Sequence, residues 1–194
     1  GSELFTGHTM FLTLGVIAGT ISQGQMWAIL PQTWVGNLLG SVFVALLYSW
    51  GGGGLLPVDT SLVHTVALAK TSQSAMALFF KGALCNWLVC LAIWMAIRTE
   101  GAAKFIAIWW CLLAFIASGY EHSVANMTLF ALSWFGHHSD AYTLAGIGHN
   151  LLWVTLGNTL SGVVFMGLGY WYATPQSERP APEKIKQSEA AANN

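Results

Sequence analysis

Glu121 and His122 stand side by side in the stretch Gly119-Tyr120-Glu121-His122-Ser123-Val124-Ala125-Asn126, and the sequence on either side is almost wholly apolar. An imidazole can donate a hydrogen bond to an anion or, when charged, lend it a proton, and an ordinary pKa of about 6.5 keeps both forms within reach at neutral pH. Ionisable groups in a hydrocarbon surround cost roughly 2.5–3.5 kcal/mol each, so they need a use or a partner. His122 is therefore the candidate centre of an anion pathway, and the alternative is a hydrogen-bonded structural histidine. Glu121 and its counterpart Glu3 read as structural carboxylates that accept hydrogen bonds and hold an irregular loop. Thr6 is a candidate hydroxyl partner for His122. Leu4, Phe5 and Phe115 are candidate apolar constrictions that gate by dewetting, against plain packing at the same positions.

The elements that must position these groups are membrane helices. With 8% charged residues, 55% hydrophobic residues and a mean hydropathy of +0.57, the chain lies far from soluble domains, about a quarter of whose residues are charged. The expected class is an all-α integral membrane protein. The net charge of −1 is not diagnostic, because most of the charges lie in loops and in the tail, and no nucleic-acid surface is suggested. Cys85, Cys90 and Cys111 all fall in apolar runs without CxxC spacing and read as buried small hydrophobes, not as a disulfide frame or metal site.

In chain order, residues 4 to 17 are apolar but shorter than the roughly 20 residues needed to cross a bilayer, which predicts a half-helix. After a polar turn over Gly19 to Gln25, Met26 to Trp50 is long enough to span. Gly51 to Gly54, Pro57, Asp59 and Lys70 then mark a loop of about twenty residues, given the spacing of turn residues there. Residues 74 to 97 form the next span, followed by a short charged loop with Arg98, Glu100 and Lys104. Phe105 to Ser118 gives a helix of only about 21 Å, so the break at Gly119 to Val124 and the half-helix Ala125 to Phe135 complete one crossing. Leu144 to Tyr172 is the last span. Residues 1–173 thus form a transmembrane channel domain and 174–194 a polar tail of disordered composition. Arg98, Lys104, Arg179, Lys184 and Lys186 fall on one side by this count, which predicts that the tail is cytoplasmic.

An internal repeat organises the pieces. Gly1-Ser2-Glu3-Leu4-Phe5-Thr6-Gly7-His8 parallels Gly119-Tyr120-Glu121-His122-Ser123-Val124-Ala125-Asn126. Gly36-Asn37 follows Gly1 by 35 residues, and Gly157-Asn158 follows Gly119 by 38. An odd number of crossings between them predicts inverted repeats whose broken helices meet at the midplane. Half-helices beginning near Gly7 and Ala125 would aim unpaired N–H groups and positive dipole ends at the membrane centre, a setting that attracts anions and repels cations. Gly7, Gly119 and Asn126 join Glu3 and Glu121 as structural residues of the breaks. Lys70 reads as a solvated loop cation able to raise the local anion concentration, and Lys81 as snorkelling outward. Asn37, Asn86 and Asn158 read as interhelical ties.

His8, His122 and His149 also admit a haem-binding membrane subunit, but His122 lies in a glycine-led break and not on a regular helix face. No hydrolase triad, Walker loop or zinc spacing points to an enzyme.

Three segments carry a more specific signal: Glu3-Leu4-Phe5-Thr6-Gly7, Lys81-Gly82-Ala83-Leu84-Cys85-Asn86-Trp87-Leu88-Val89-Cys90, and Gly119 through Met127. Together they resemble the signatures of the formate/nitrite transporter family, and the similarity covers the chain apart from its tail. The resemblance implies an aquaporin-like inverted-repeat bundle, a homopentamer with one pore per protomer, in the bacterial inner membrane. It implies His122 as the family's central histidine, Thr6 as its loop threonine, Lys70 as its vestibule lysine and Asn86 as the asparagine of the fourth span. It implies transport of small monovalent anions, nitrite first, with formate, another monocarboxylate or hydrosulfide as the alternative, with protons as a further partner whether the flux is channel-like or proton-coupled, and no cofactor. It also implies that the first span and the first half of the second are absent from this chain.

Overall fold

A computed structural model describes residues 3–53, 61–136 and 138–179 of the chain. Among them the secondary structure is helical: α1 (Phe5–Ile17), α2 (Gln23–Trp50), α3 (Leu62–Thr71), α4 (Ala75–Ala96), α5 (Gly101–Ala117), α6 (Ser123–Phe135), α7 (Leu144–Leu160) and α8 (Gly169–Ala173). A π-helical stretch, Ser161–Leu168, joins α7 to α8 into one rod. Among the described residues three helices are long and apolar enough to cross a membrane: α2 with 28 residues, α4 with 22 and the α7–α8 rod with 30. α1, α5 and α6 are shorter apolar helices. Gly1 and Ser2 of the repeat, Gly54, Pro57 and Asp59 of the expected loop, and the tail from Pro180 onward lie outside the described residues.

Helix starts follow local chemistry. Ser22 and Gln25 form a reciprocal capping box, so α2 begins at Gln23, within the expected turn and three residues before Met26. Ser61, Ser74 and Thr143 each accept a backbone N–H as the N-caps of α3, α4 and α7. Two expectations are corrected here. The segment between α2 and α4 is not all loop, because Leu62–Thr71 forms α3 and carries Lys70 on its last turn. Both half-helices also start two residues before Gly7 and Ala125, because Leu4 and His122 take extended conformations and end the preceding loops. α5 likewise begins at Gly101, whose φ of 58° suits glycine, so Lys104 sits on the helix and not in a loop.

Packing depends on small residues at close crossings. α4 packs most extensively on α7. There a Cβ on Gly157 would run into the carbonyl oxygen of Phe79 and come within 2.9 Å of Ala83 N, while one on Gly82 would lie 2.8 Å from Val154 O. Both obstacles are backbone, so neither can rotate away. We expect Gly157→Ala to destabilise the fold by at least about 1–3 kcal/mol, the usual cost of overpacking. A melting temperature in micelles equal to that of the unsubstituted protein would contradict this crossing. α1 lies against the π-helical stretch, where Gly162 meets Thr9 and Gly167 meets Thr13. Met10, Cys90 and Met166 fill the core between them. The three cysteines are free and buried. Phe105, Ile106, Trp109, Trp110 and Ile116 of α5 face outward, as Leu39 and Phe43 of α2 do, which suits a hydrocarbon surround.

Candidate functional site

The chain between α5 and α6 turns through Gly119, at φ 64°, and enters α6 through an extended His122. His122 is itself the helix cap: its Nδ1 accepts the N–H of Ala125 at 3.1 Å. That bond requires a bare lone pair on Nδ1, so the neutral ring carries its proton on Nε2. Nε2 lies 3.2 Å from Thr6 Oγ1, at the start of α1. Phe115 stacks on the imidazole with centroids 5.9 Å apart and planes at 26°. Thr6 is fully buried and His122 nearly so. One oriented N–H donor is thus held where the two half-helices meet, beside a hydroxyl and under an aromatic ring.

The two breaks are clamped alike. Asn158 accepts the N–H of Ser123 at 2.9 Å and donates to the carbonyl of Glu121 at 3.0 Å. Asn37 accepts the N–H of Phe5 at 2.9 Å and donates to the carbonyl of Glu3 at 2.8 Å. Five residues beyond each glutamate a polar side chain returns to it: His8 Nε2 to Glu3 at 2.8 Å, and Asn126 Nδ2 to Glu121 at 2.6 Å. The repeat is therefore a repeat of hydrogen-bonding function as well as of letters. The clamps also correct an expectation. The N–H groups of Phe5, Ser123 and Ala125 are taken by Asn37, Asn158 and His122, so they are not unpaired donors facing a pathway. The helix dipoles remain, and the donor at the junction is His122 Nε2–H, which faces Thr6 Oγ1 at 3.2 Å.

Glu121 is the hub of a polar network that sequence reading largely missed. Lys70 Nζ lies 2.9 Å from its Oε1, with the two side chains 17% and 1% exposed, so Lys70 is not the solvated cation expected. Gln73 donates to the same oxygen at 3.1 Å and accepts from Lys81 Nζ at 2.7 Å, which turns Lys81 toward the network. Asn126 also donates to Asn150, and Asn150 donates to the Lys70 carbonyl, each at 2.9 Å. His149 bonds the carbonyl of Gln73 at 3.2 Å. Gln73, Asn150 and His149 carried one usable signal, namely polar groups in or beside apolar segments. Asn86 is fully buried and donates to the carbonyls of Thr6 and Asn158 and to Thr9 Oγ1, so it ties α4 to α1 and α7. Phe5 packs on Met26 and Leu30, whereas Leu4 is partly exposed and sits beside Phe5 as the α1 cap. Of the named constriction residues, Phe115 stacks on the His122 ring.

A second histidine site lies outside the spans. His64 on α3 is buried, with Nδ1 2.9 Å from Ser133 Oγ, Nε2 3.3 Å from Ser139 Oγ and Tyr142 edge-on at 5.6 Å. Burial first, and then the neighbouring His138, push its pKa below the ordinary value. The neutral ring is the folded form. Its contribution to stability is therefore complete above about pH 6.5 and is lost as the pH falls through the lowered native value. The melting temperature of the unsubstituted protein, minus that of a His64→Asn variant, should shrink as the pH is lowered from 7 to 5. A difference that does not change with pH would contradict the assignment.

The profile of the formate/nitrite transporter family matches residues 1–172. The chain is 91% identical over 194 residues to the nitrite transporter NirC of Salmonella typhimurium, covering 100% of this chain and 72% of that protein. It is 85% identical over 192 residues to the nitrite transporter NirC of Escherichia coli, covering 99% and 72%. Among solved structures it is similar to an FNT family ion channel, with a TM-score of 0.88 and 92% identity over 90% of this chain and 70% of that one. A pentameric formate channel with formate bound shares the fold at a TM-score of 0.68 and 24% identity, over 89% of this chain and 83% of that one. The two NirC proteins and the FNT ion channel thus extend beyond the matched region. The chain belongs to the formate/nitrite transporter family.

Proposed function

We propose that this chain forms the conducting core of a nitrite channel, with His122 Nε2–H as the donor that meets the anion at the junction of α1 and α6. The observation that carries the reading is the oriented donor itself: His122 Nδ1 is committed to Ala125 N–H, which leaves Nε2–H beside Thr6 Oγ1 in a buried setting. In a water-poor site such a bond replaces part of the hydration that the anion gives up. The high identity to nitrite transporters in two bacteria supports nitrite as the substrate. A proton lent by His122 to the anion would need a second proton at Nδ1 and loss of the Ala125 bond, so donation without net proton transfer is the role this geometry favours. Lys70, Lys81 and Glu121 hold the break in shape, and the two lysines add positive potential on its approach side.

In this reading the protein is a homopentamer in the bacterial inner membrane, its outward α5 and α2 faces meeting lipid or neighbouring protomers. Residues 1–173 conduct and 174–194 form a cytoplasmic tail, as the placement of Arg98, Lys104 and Arg179 suggests. Transport, not bond chemistry, is its activity.

Uptake into proteoliposomes of nitrite, formate and an uncharged solute of similar size, at two pH values, tests the proposal. Nitrite uptake well above that of the uncharged solute supports it. Formate uptake exceeding that of nitrite would change the substrate, and equal uptake of all three would remove the anion pathway.

A further inference from the structure

We propose that a pocket where α1, α4 and α8 end together binds the phosphodiester of an anionic phospholipid. The cavity holds about 280 Å³ and is lined by Leu14, Gly15 and Ala18 of the α1 end, Trp94 and Arg98 of the α4 end, and Trp171, Thr174 and Arg179 beyond the last span. It brings together two guanidiniums that lie 81 residues apart in the chain (179 − 98), and neither pairs with a carboxylate among the described residues. Arg98 Cζ lies over the Trp94 indole, 3.5 Å from the ring centroid, and Arg179 Cζ lies 5.3 Å from that of Trp171. Arg179 is further fixed by donating from Nε to Thr174 O at 3.0 Å and from Nη2 to Tyr172 O at 3.2 Å.

This arrangement holds Arg98 in place without using its fork, whereas Arg179 spends Nε and Nη2 on two carbonyls and keeps Nη1 for a ligand. An indole face attracts a guanidinium but accepts no in-plane hydrogen bond, so this contact leaves the N–H groups of Arg98 available to an oxygen ligand. The ends of α1, α4 and α8 at Ala18, Ile97 and Thr174 add negative dipole poles that favour cations here. A phosphate oxygen pair matches the planar donor pair of arginine.

The choice of lipid over a free anion follows from the rest of the lining. The pocket lies at span ends, where Trp94 and Trp171 sit as interfacial anchors, with Tyr170 edge-on to Trp94 at 5.0 Å. Leu14, Ala18 and the two indoles offer an apolar wall for a glycerol and acyl stem, which inorganic phosphate or nitrite could not use. Basic pockets between membrane helices at one leaflet are suited to anionic headgroups. The site is separate from the His122 junction and does not rest on the substrate assigned there.

Native mass spectrometry of the purified protein in micelles, titrated with phosphatidylglycerol or phosphatidylcholine, tests this. The unsubstituted protein should bind phosphatidylglycerol about tenfold more tightly, and R98Q/R179Q should lose that preference. R98K/R179K keeps the charge but not the fork, so its preference should fall between the two, and it serves if the glutamine variant does not fold. The proposal is overturned if the unsubstituted protein shows no preference, if both variants keep it in full, or if millimolar inorganic phosphate alone displaces the bound lipid.

Discussion

Glu121→Gln is expected to destabilise the protein by about 3–5 kcal/mol, the loss typical when one partner of a buried ion pair is removed. The carboxylate receives Lys70 and Gln73 on Oε1 and Asn126 on Oε2. An amide in its place has a single acceptor oxygen. Turned one way its NH₂ faces the NH₂ of Asn126, and turned the other way it faces Lys70 and Gln73, while Lys70 loses its counter-charge in either case. Lys70→Met should also destabilise, because it leaves a carboxylate that is 1% exposed with only neutral donors. Combining the two removes both charges, so the double variant should be more stable than the sum of the single losses implies, with a coupling of about 1–3 kcal/mol. Chemical denaturation in mixed micelles measures all three variants. Additive losses would mean that the pair does not act as a pair.

His122→Phe is expected to slow anion flux by about 10- to 100-fold, the equivalent of losing one hydrogen bond to a charged group, about 1.5–3 kcal/mol. Phenylalanine keeps the ring against Phe115 but removes both the Nε2 donor and the Nδ1 cap of α6. Loss of the cap alone costs about 1 kcal/mol of stability and must be separated from loss of the donor. His122→Asn does so, because asparagine is a good N-cap and can accept the Ala125 N–H while its amide is too short to replace Nε2. The asparagine variant should therefore keep its melting temperature and still lose flux, whereas the phenylalanine variant should lose both. Flux retained in both variants at the unsubstituted rate would remove His122 from the pathway.

The long elements were legible because a bilayer allows few solutions: apolar runs of the right length become helices, and shorter ones must join or end. The repeat was legible from Glu3 and Glu121 and from Asn37 and Asn158, and the structure places each asparagine on the loop that its glutamate occupies. The half-helix starts were less so. The caps are Leu4 and His122, neither of which belongs to the usual capping residues: α1 begins on a tertiary bond from Asn37, and α6 on one from Asn158 together with the His122 imidazole itself. α3 was hidden because it is ten residues long and lies between spans. The burial of Lys70 could not be read locally, since its partner lies on another element 51 residues on (121 − 70). The π-helical stretch had only Gly162 and Gly167 to signal it, and there Thr9 and Thr13 of α1 approach closely.

The most direct test of the account is the ¹⁵N spectrum of the His122 ring in histidine-labelled protein reconstituted in lipid, recorded with and without nitrite and assigned by comparison with the His122→Asn variant. The account predicts a neutral ring with the proton on Nε2 and a bare Nδ1, and a nitrite-dependent shift concentrated at Nε2. A ring protonated on Nδ1, or a spectrum that nitrite leaves unchanged while nitrite still crosses the membrane, would contradict it.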